Sequence, residues 1–156
     1  MAYEVTLETV GAVPMAAVAA RAQFGELPRV IPASLDKVYA VLRAGEPGPL
    51  GCNTVLYRPG VDGRTMDLRV GVRLDRPFAG VGEVILAETP AGEAAHVVYL
   101  GDYGKMRPAH QAAQDWARQQ GRGLTGVSWE VYGDWSEDPT ELRTDIYYQL
   151  EGEAHG

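Results

Sequence analysis

Two stretches of this sequence repeat the same order of residue patterns, and this internal repeat limits the fold more than any other feature. Three pairs of segments align in the same order along the chain: Gly51–Tyr57 with Gly126–Tyr132, Gln23–Pro28 with Asp102–Arg107, and Leu68–Leu74 with Thr144–Leu150. Two such matches could arise by chance, but three in the same order indicate a duplication. We therefore predict a single domain over residues 1–156, with internal repeats at about 3–76 and 81–151.

Each repeat has the pattern of a β-β-α-β-β module. Residues 3–10 alternate apolar and polar side chains, which is typical of a half-buried strand. The spacing of one helix face occurs at Ile31, Leu35, Val38 and Leu42, and again near residues 105–120. Pro32 is predicted to lie in the first turn of the first helix. The sequence thus predicts an α+β fold with pseudo-two-fold symmetry, in which each half is an antiparallel sheet with one helix on one face, and a ligand cleft between the halves.

Composition excludes several kinds of protein. The formal net charge is −7 and the isoelectric point about 4.9, and no basic run is present, so direct binding of nucleic acid is not expected. No continuous apolar stretch of about 18 residues and no leader-like start is found, so neither a membrane span nor export is predicted. Cys52 is the single cysteine, which fits a reducing cytoplasm.

The common catalytic and metal-binding motifs are not found in the sequence. The histidines, His96, His110 and His155, lack the spacing that metal sites use, and no glycine-rich loop precedes a helix. We therefore predict no metal and no cofactor. His110 lies in the second predicted helix and is interpreted as a surface or boundary residue. His96 lies in a predicted strand, from which it could reach a pocket, although a structural role is preferred for it.

Glu130 is the most informative polar residue, because it lies in the strand-like segment Gly126–Tyr132. An unpaired buried carboxylate is costly, so Glu130 is paired, protonated or placed to meet a positive group. The alternative is a glutamate on an edge strand that points to water. Side chains two apart share a face, so Ser128 and Tyr132 should accompany Glu130, whereas Trp129 faces away.

Aromatic residues are concentrated in or beside the predicted strands of this pattern. They are Tyr57, Tyr99, Tyr103, Tyr132, Trp135, Tyr147 and Tyr148. Most are expected to pack in the core or at its rim. Tyrosine rings beside a carboxylate also form a good receptor for a flat organic cation, because the ring faces attract positive charge and the carboxylate neutralises it.

Nearly the whole chain, from Tyr3 to Leu150, resembles the gyrase-inhibitor-like (GyrI-like) small-molecule-binding domains. This family includes the effector-binding domains of MerR-type and AraC-type multidrug-responsive transcription regulators. The resemblance is carried by the duplication, by the stretch from His96 to Tyr103 before the second helix, and by the Glu-x-Tyr of Glu130 and Tyr132. Asp102 replaces the proline that the family usually has before that helix.

The resemblance implies a concave pocket between the halves with Glu130 at its base. Aromatic pocket residues of the family would correspond to positions near Tyr57, Tyr103 and Tyr147. Together with the residues discussed above, the candidate ligand-binding set is Glu130, Tyr147, Tyr57, Tyr103, Tyr132, His96 and Trp135.

Three functional hypotheses follow from the resemblance. The preferred one is a bacterial, cytoplasmic binding protein whose promiscuous pocket takes lipophilic, often cationic aromatic compounds, for sensing or sequestration and without chemistry. The second is a hydrolase of cyclopropane-bearing, DNA-alkylating natural products, in which Glu130 and Tyr147 would be the catalytic residues. The third is binding to a protein partner in the manner of gyrase inhibition.

Overall fold

The computed structural model describes residues 3–44, 50–60, 62–76, 78–133 and 136–152. Strands and helices alternate along the chain in the order β1 Val5–Val10, β2 Val13–Ala22, α1 Leu27–Ala44, β3 Leu50–Pro59, β4 Met66–Leu74, β5 Val84–Thr89, β6 Gly92–Leu100, α2 Arg107–Gln119, β7 Leu124–Tyr132 and β8 Arg143–Leu150. Short 3-10 turns precede both α-helices and β8. The predicted α+β fold with antiparallel pairing is confirmed.

The chain divides into two compact units, which we call unit 1 (residues 1–11 and 90–156) and unit 2 (residues 12–89). The antiparallel neighbours follow the order β1-β6-β8-β7 in unit 1 and β3-β4-β2-β5 in unit 2. The first strand of each predicted repeat therefore pairs with strands of the other repeat. Alternation of side chains predicts a strand and its buried face, but it does not determine which backbone the strand pairs with. The repeats themselves stay a prediction.

In unit 1, helix α2 packs on one face of the sheet through small side chains. Ala109, Ala113 and Ala117 are fully buried and four residues apart, so they form one stripe along the helix. They contact a cluster that includes Val97 of β6 and Ile146 of β8. Because alanine is small, the backbone of α2 can approach the sheet closely, and larger residues beside the stripe reach the strands.

Asp102 stands where GyrI-like domains usually have a proline, and it has a structural role in the turn that leads into α2. Asp102 precedes the 3-10 turn Tyr103–Lys105, and its Oδ1 accepts a hydrogen bond of 2.9 Å from the backbone N–H of Gly104. An aspartate at this position caps the exposed N–H groups at the start of the turn. Tyr99 donates a hydrogen bond of 2.7 Å to the backbone carbonyl of Asp102. The turn is therefore held from both sides.

In unit 2, helix α1 buries Ser34, Val38 and Leu42 against its sheet. The expectation that Pro32 lies in the first turn is wrong, because the helix begins at Leu27 and Pro32 lies inside it. Pro28 occupies the first turn instead, where a missing N–H costs nothing. Within the described residues, no helix combines the length and the apolar character needed to span a membrane.

Candidate functional site

Strand β7 places Glu130 beneath helix α2. Glu130 lies opposite Ile146, which belongs to the cluster packed against α2, and it is only 4% exposed. Ser128 and Tyr132 lie on the same face, as strand alternation requires. Glu130 is therefore a buried carboxylate and not an edge residue that points to water, which settles the two alternatives that the sequence left open.

His110 of α2 binds this carboxylate. Its Nε2 lies 2.6 Å from Glu130 Oε2, and the side chains of His110 and Glu130 are 21% and 5% exposed. His110 follows Ala109 in the helix, so its side chain lies beside the alanine stripe. The contact with Glu130 places it on the side of the stripe that faces β7. His110 is half-buried, as the interpretation of a boundary residue requires, but its contact with the buried carboxylate was not predicted.

Tyrosine hydroxyls complete the surroundings of the pair. Tyr132 donates a hydrogen bond of 2.5 Å to Glu130 Oε1, and its ring meets the ring of Tyr103 edge-to-face with 5.3 Å between centroids. On the other side of the imidazole, His110 Nδ1 lies 2.7 Å from the hydroxyl of Tyr148. Gln114, one turn further along α2, donates a hydrogen bond of 3.1 Å to the same hydroxyl.

These contacts form one continuous chain, which we call the Glu130 network: Gln114, Tyr148, His110, Glu130 and Tyr132. When His110 donates its Nε2–H to Glu130, its Nδ1 can accept the proton of the Tyr148 hydroxyl. Burial raises the pKa of Tyr148, and the negative charge of Glu130 raises it further, while hydrogen bonds from Gln114 and Ser128 act in the opposite direction. Tyr148 therefore keeps its proton at neutral pH and serves as a donor.

A buried hydroxyl beside the network has hydrogen-bonding capacity to spare. Thr144 lies opposite Tyr132 in the β7–β8 register and is fully buried. Within the described residues its Oγ1 has no hydrogen-bond partner. Buried hydroxyls normally find a partner, so this atom could bond to a ligand that enters next to Tyr132.

The opposite face of the unit 1 sheet carries a different cluster, a row of stacked rings across three strands. Tyr147 stacks on Trp129 with 5.1 Å between ring centroids and on His96 with 4.6 Å. His96 Nε2 lies 2.7 Å from Asp145 Oδ1, and Arg143 binds the same carboxylate at 3.0 Å. Burial raises the pKa of Asp145, but the hydrogen bonds from His96 and Arg143 outweigh it and lower the pKa to about 2.

The structure thus separates the predicted site residues into groups. Glu130 and Tyr132 lie together, with Tyr103 in ring contact with Tyr132, whereas Tyr147 and His96 lie on the other face of the sheet. Tyr57 lies on β3 in unit 2 and is half-buried. Trp135 lies outside the described residues.

Three members of the network were missed by the sequence analysis: His110, Gln114 and Tyr148. A signal for each was present. His110 and Gln114 are four residues apart, as two neighbours on one helix face are. Tyr148 follows the alternation of Thr144 and Ile146, which marks it as a residue on the buried face of β8.

The chain can also be compared with known proteins, although no family model and no curated protein matches it. The C-terminal domain of EcmrR superposes with a TM-score of 0.78 at 22% identity, covering 97% of this chain and 99% of that one. SAV2435 bound to tetraphenylphosphonium superposes with a TM-score of 0.62 at 15% identity, covering 96% and 94%. A hydrolase from Listeria innocua superposes with a TM-score of 0.59 at 9% identity, covering 96% and 93%.

At these identities the likeness establishes the fold. The resemblance to GyrI-like domains that the sequence indicated is confirmed at that level, since the chain superposes over nearly its whole length. The described residues contain no group of three or more His, Cys, Asp or Glu arranged to hold a metal ion.

Proposed function

We propose that this chain binds small lipophilic molecules, above all aromatic cations, at the Glu130 network. The observation that carries the proposal is a carboxylate that is 4% exposed and has an imidazole and a phenol among its partners. These hydrogen bonds hold the carboxylate in place, and its negative charge can be offered to a ligand. A cation that enters would therefore meet a counter-ion that is shielded from water. The attraction between the two charges is much stronger there than in bulk water, because the effective dielectric constant is lower.

The rings around the carboxylate support the same proposal. Tyr132, Tyr103 and Tyr148 present aromatic surface next to Glu130, and cations are attracted to the faces of such rings. Ring stacking and cation–π attraction tolerate changes in ligand shape better than an array of directed hydrogen bonds does. We therefore expect several unrelated lipophilic cations to bind, as in a multidrug sensor or a sequestering protein of the cytoplasm.

The comparison with SAV2435 favours cations over neutral compounds. That protein shares the fold and has been solved bound to tetraphenylphosphonium, which carries one positive charge within four phenyl rings. The acidic balance of this chain, with a formal net charge of −7, would also draw cations towards it.

The test is a titration of the full chain with tetraphenylphosphonium and with the neutral analogue triphenylphosphine oxide. Glu130→Gln should weaken the cation by roughly tenfold to a hundredfold and the neutral compound much less, because only the cation loses a buried counter-charge. Glu93→Gln is the matched control, since it removes the same charge from a carboxylate paired with Arg122 at 2.7 Å. Equal weakening by both substitutions, or no binding by the wild type, would refute the proposal.

A hydrolase activity is the second candidate, and the superposition with the Listeria innocua hydrolase is the observation that favours it. In that case we propose Tyr132 or Tyr148, and not Tyr147, as the hydroxyl that acts with Glu130, because Tyr147 lies on the other face of the sheet. The phosphorus compounds of the titration have no bond that such a hydrolase would open, so the two candidates are distinguished by incubating the chain with a cyclopropane-bearing, DNA-alkylating compound and analysing that compound by mass spectrometry. An unaltered ligand supports binding alone, and a hydrated product supports the hydrolase.

A further inference from the structure

His110 is the one residue of the Glu130 network that links the buried carboxylate to the helix above it. Its Nε2 contacts Glu130 at 2.6 Å and its Nδ1 contacts Tyr148 at 2.7 Å, so both ring nitrogens are engaged. The imidazole is the more exposed member of the pair with Glu130. It therefore occupies the position next to the carboxylate that the positive group of a ligand would need.

Both protonation states of His110 are compatible with this position. The neutral ring donates Nε2–H to Glu130 and accepts the Tyr148 proton at Nδ1. The imidazolium also donates Nε2–H to Glu130, and it then donates Nδ1–H to the Tyr148 oxygen, which can accept a second hydrogen bond. The ring can thus gain a proton without leaving the carboxylate, and only its charge changes.

We infer that His110 is a specificity-determining residue of this site, which acts as an internal competitor that a cationic ligand must displace from Glu130. This inference rests on the proposed function and adds a regulation to it. When His110 is protonated, Glu130 already has a cation as its partner, and a second cation would be repelled. When His110 is neutral, the ligand displaces from Glu130 Oε2 a hydrogen-bond donor that carries no charge.

Among the described residues, the strands packed against α2 bring a carboxyl group and several phenols towards His110. They are Glu130 and Tyr132 of β7, Tyr148 of β8 and Tyr99 of β6, with Tyr3 beside β1. On α2 itself, the charged Arg107 lies one turn before His110. Phenols do not titrate in the range where histidine does, so they do not change charge there. Glu130 itself is the other group that could gain a proton as the pH falls, and the experiment separates its effect from that of His110.

The direction of the pH effect follows from competition. A proton gained by His110 strengthens its hold on Glu130 across the 2.6 Å contact, so the affinity for a permanently charged cation falls with each proton that the imidazole gains. The loss can reach about tenfold per pH unit, which is the limit when one proton must leave for each ligand bound. A neutral ligand of similar size does not compete for the carboxylate and should show little dependence.

The experiment measures the affinity of the full chain for tetraphenylphosphonium between about pH 5.5 and about pH 8. We expect the wild type to bind at least about threefold more weakly at the acid end, with triphenylphosphine oxide nearly unchanged. His110→Gln keeps an N–H donor but takes up no proton, so most of the pH dependence should disappear, and the residual slope reports Glu130. Gln111→Ala, on the exposed side of α2, is the matched control and should keep the wild-type profile.

His110→Arg supplies the opposite change, a fixed positive charge at the same position. It should weaken the cation at every pH while affecting the neutral compound less. A wild-type affinity that is independent of pH, or a pH dependence that survives in His110→Gln, would overturn the inference while leaving Glu130-dependent binding intact. Failure of the wild type to bind tetraphenylphosphonium at any pH would overturn the proposed function as well. If His110→Gln does not fold, His110→Arg still decides, because its fixed positive charge should weaken the cation across the whole pH range and leave only the slope due to Glu130.

Discussion

The two units carry different side chains at corresponding positions between helix and sheet. In the aligned segments, Val55 of unit 2 corresponds to Glu130 of unit 1, and Val72 corresponds to Tyr148. The strand registers agree, because both Val55 and Glu130 lie opposite an aliphatic residue of the next strand. Both valines are fully buried. Unit 2 therefore has valines where unit 1 has Glu130 and Tyr148, whereas Tyr57 and Tyr39 occupy the positions of Tyr132 and Gln114.

The helices differ in the same way. Both present a buried stripe of residues four apart, which is Ser34, Val38 and Leu42 in α1 and Ala109, Ala113 and Ala117 in α2. Leu35 follows the first of these residues in α1, as His110 does in α2. On the other face of each sheet, the row of Trp129, Tyr147 and His96 corresponds to Thr54, Gly71 and Ala17.

The comparison of the two units indicates which polar residues of unit 1 the fold does not require. Unit 2 shows that the sheet and helix can pack in this register with valine in place of the carboxylate and of its tyrosine neighbour. Burying a carboxylate and its partners is at best neutral for stability compared with well-packed hydrocarbon. The packing of sheet and helix therefore does not require Glu130, and variants that exchange residues between the units test this.

The largest effect is expected when the charge of unit 1 is copied into unit 2. Val55→Glu would place a carboxylate at a fully buried position that lacks a histidine in the helix above it. We expect the free energy of unfolding to fall by at least about 4 kcal/mol at neutral pH, from desolvation of the charge and from overpacking. Chemical denaturation followed by circular dichroism measures this loss.

Two further variants separate charge from size. Val55→Met adds comparable length without charge and should cost about 1–3 kcal/mol. Adding Leu35→His to Val55→Glu should recover about 1 kcal/mol or more, because the imidazole supplies a partner for the carboxylate. If Val55→Glu proved no worse than Val55→Met, the contrast between the units would not arise from the cost of a buried charge.

A smaller effect is expected when the partner is removed from unit 1. His110→Leu leaves Glu130 buried without its imidazole, and we expect a loss of about 2–3 kcal/mol, reduced from the fully buried case because His110 is partly exposed. The double variant with Glu130→Met should regain most of this stability, since it makes unit 1 resemble unit 2. A double variant as unstable as His110→Leu alone would contradict the equivalence of the two interiors.

Much of the fold could be predicted from the sequence, because it depends on local patterns. Alternation predicted the strands and the shared face of Ser128, Glu130 and Tyr132, and the spacing of apolar residues predicted both helices. The partners of β1 and β5 could not be predicted, because pairing depends on tertiary packing. The predicted duplication, the stretch from His96 to Tyr103 and the Glu-x-Tyr of Glu130 and Tyr132 indicated a resemblance to GyrI-like domains, which the superpositions confirm at the level of the fold.

The site was harder to predict, and the two adjacent tyrosines of β8 show why. Tyr147 and Tyr148 point to opposite faces, so the register between β7 and β8 decides which one accompanies Glu130. That register shifts between Leu124 and Ser128, and a shift of this kind cannot be counted from the residues alone. The helix residue His110 depends in addition on how closely α2 approaches the sheet.

The smallest effect is expected at Asp145 of unit 1, whose carboxylate contacts both His96 and Arg143. The pKa of Asp145 is about 2, below its ordinary value of 3.8, so the ionised carboxylate stabilises the fold above about pH 4 and this contribution is lost as the pH falls towards 2. Asp145→Asn should therefore lower the free energy of unfolding by about 1 kcal/mol at neutral pH, a modest figure because Arg143 is largely exposed, and by almost nothing near pH 2. Denaturation curves of both proteins at the two pH values measure the gap. A gap that stays constant would mean that the amide replaces the carboxylate poorly for reasons of shape, and that the charge of Asp145 contributes little to stability.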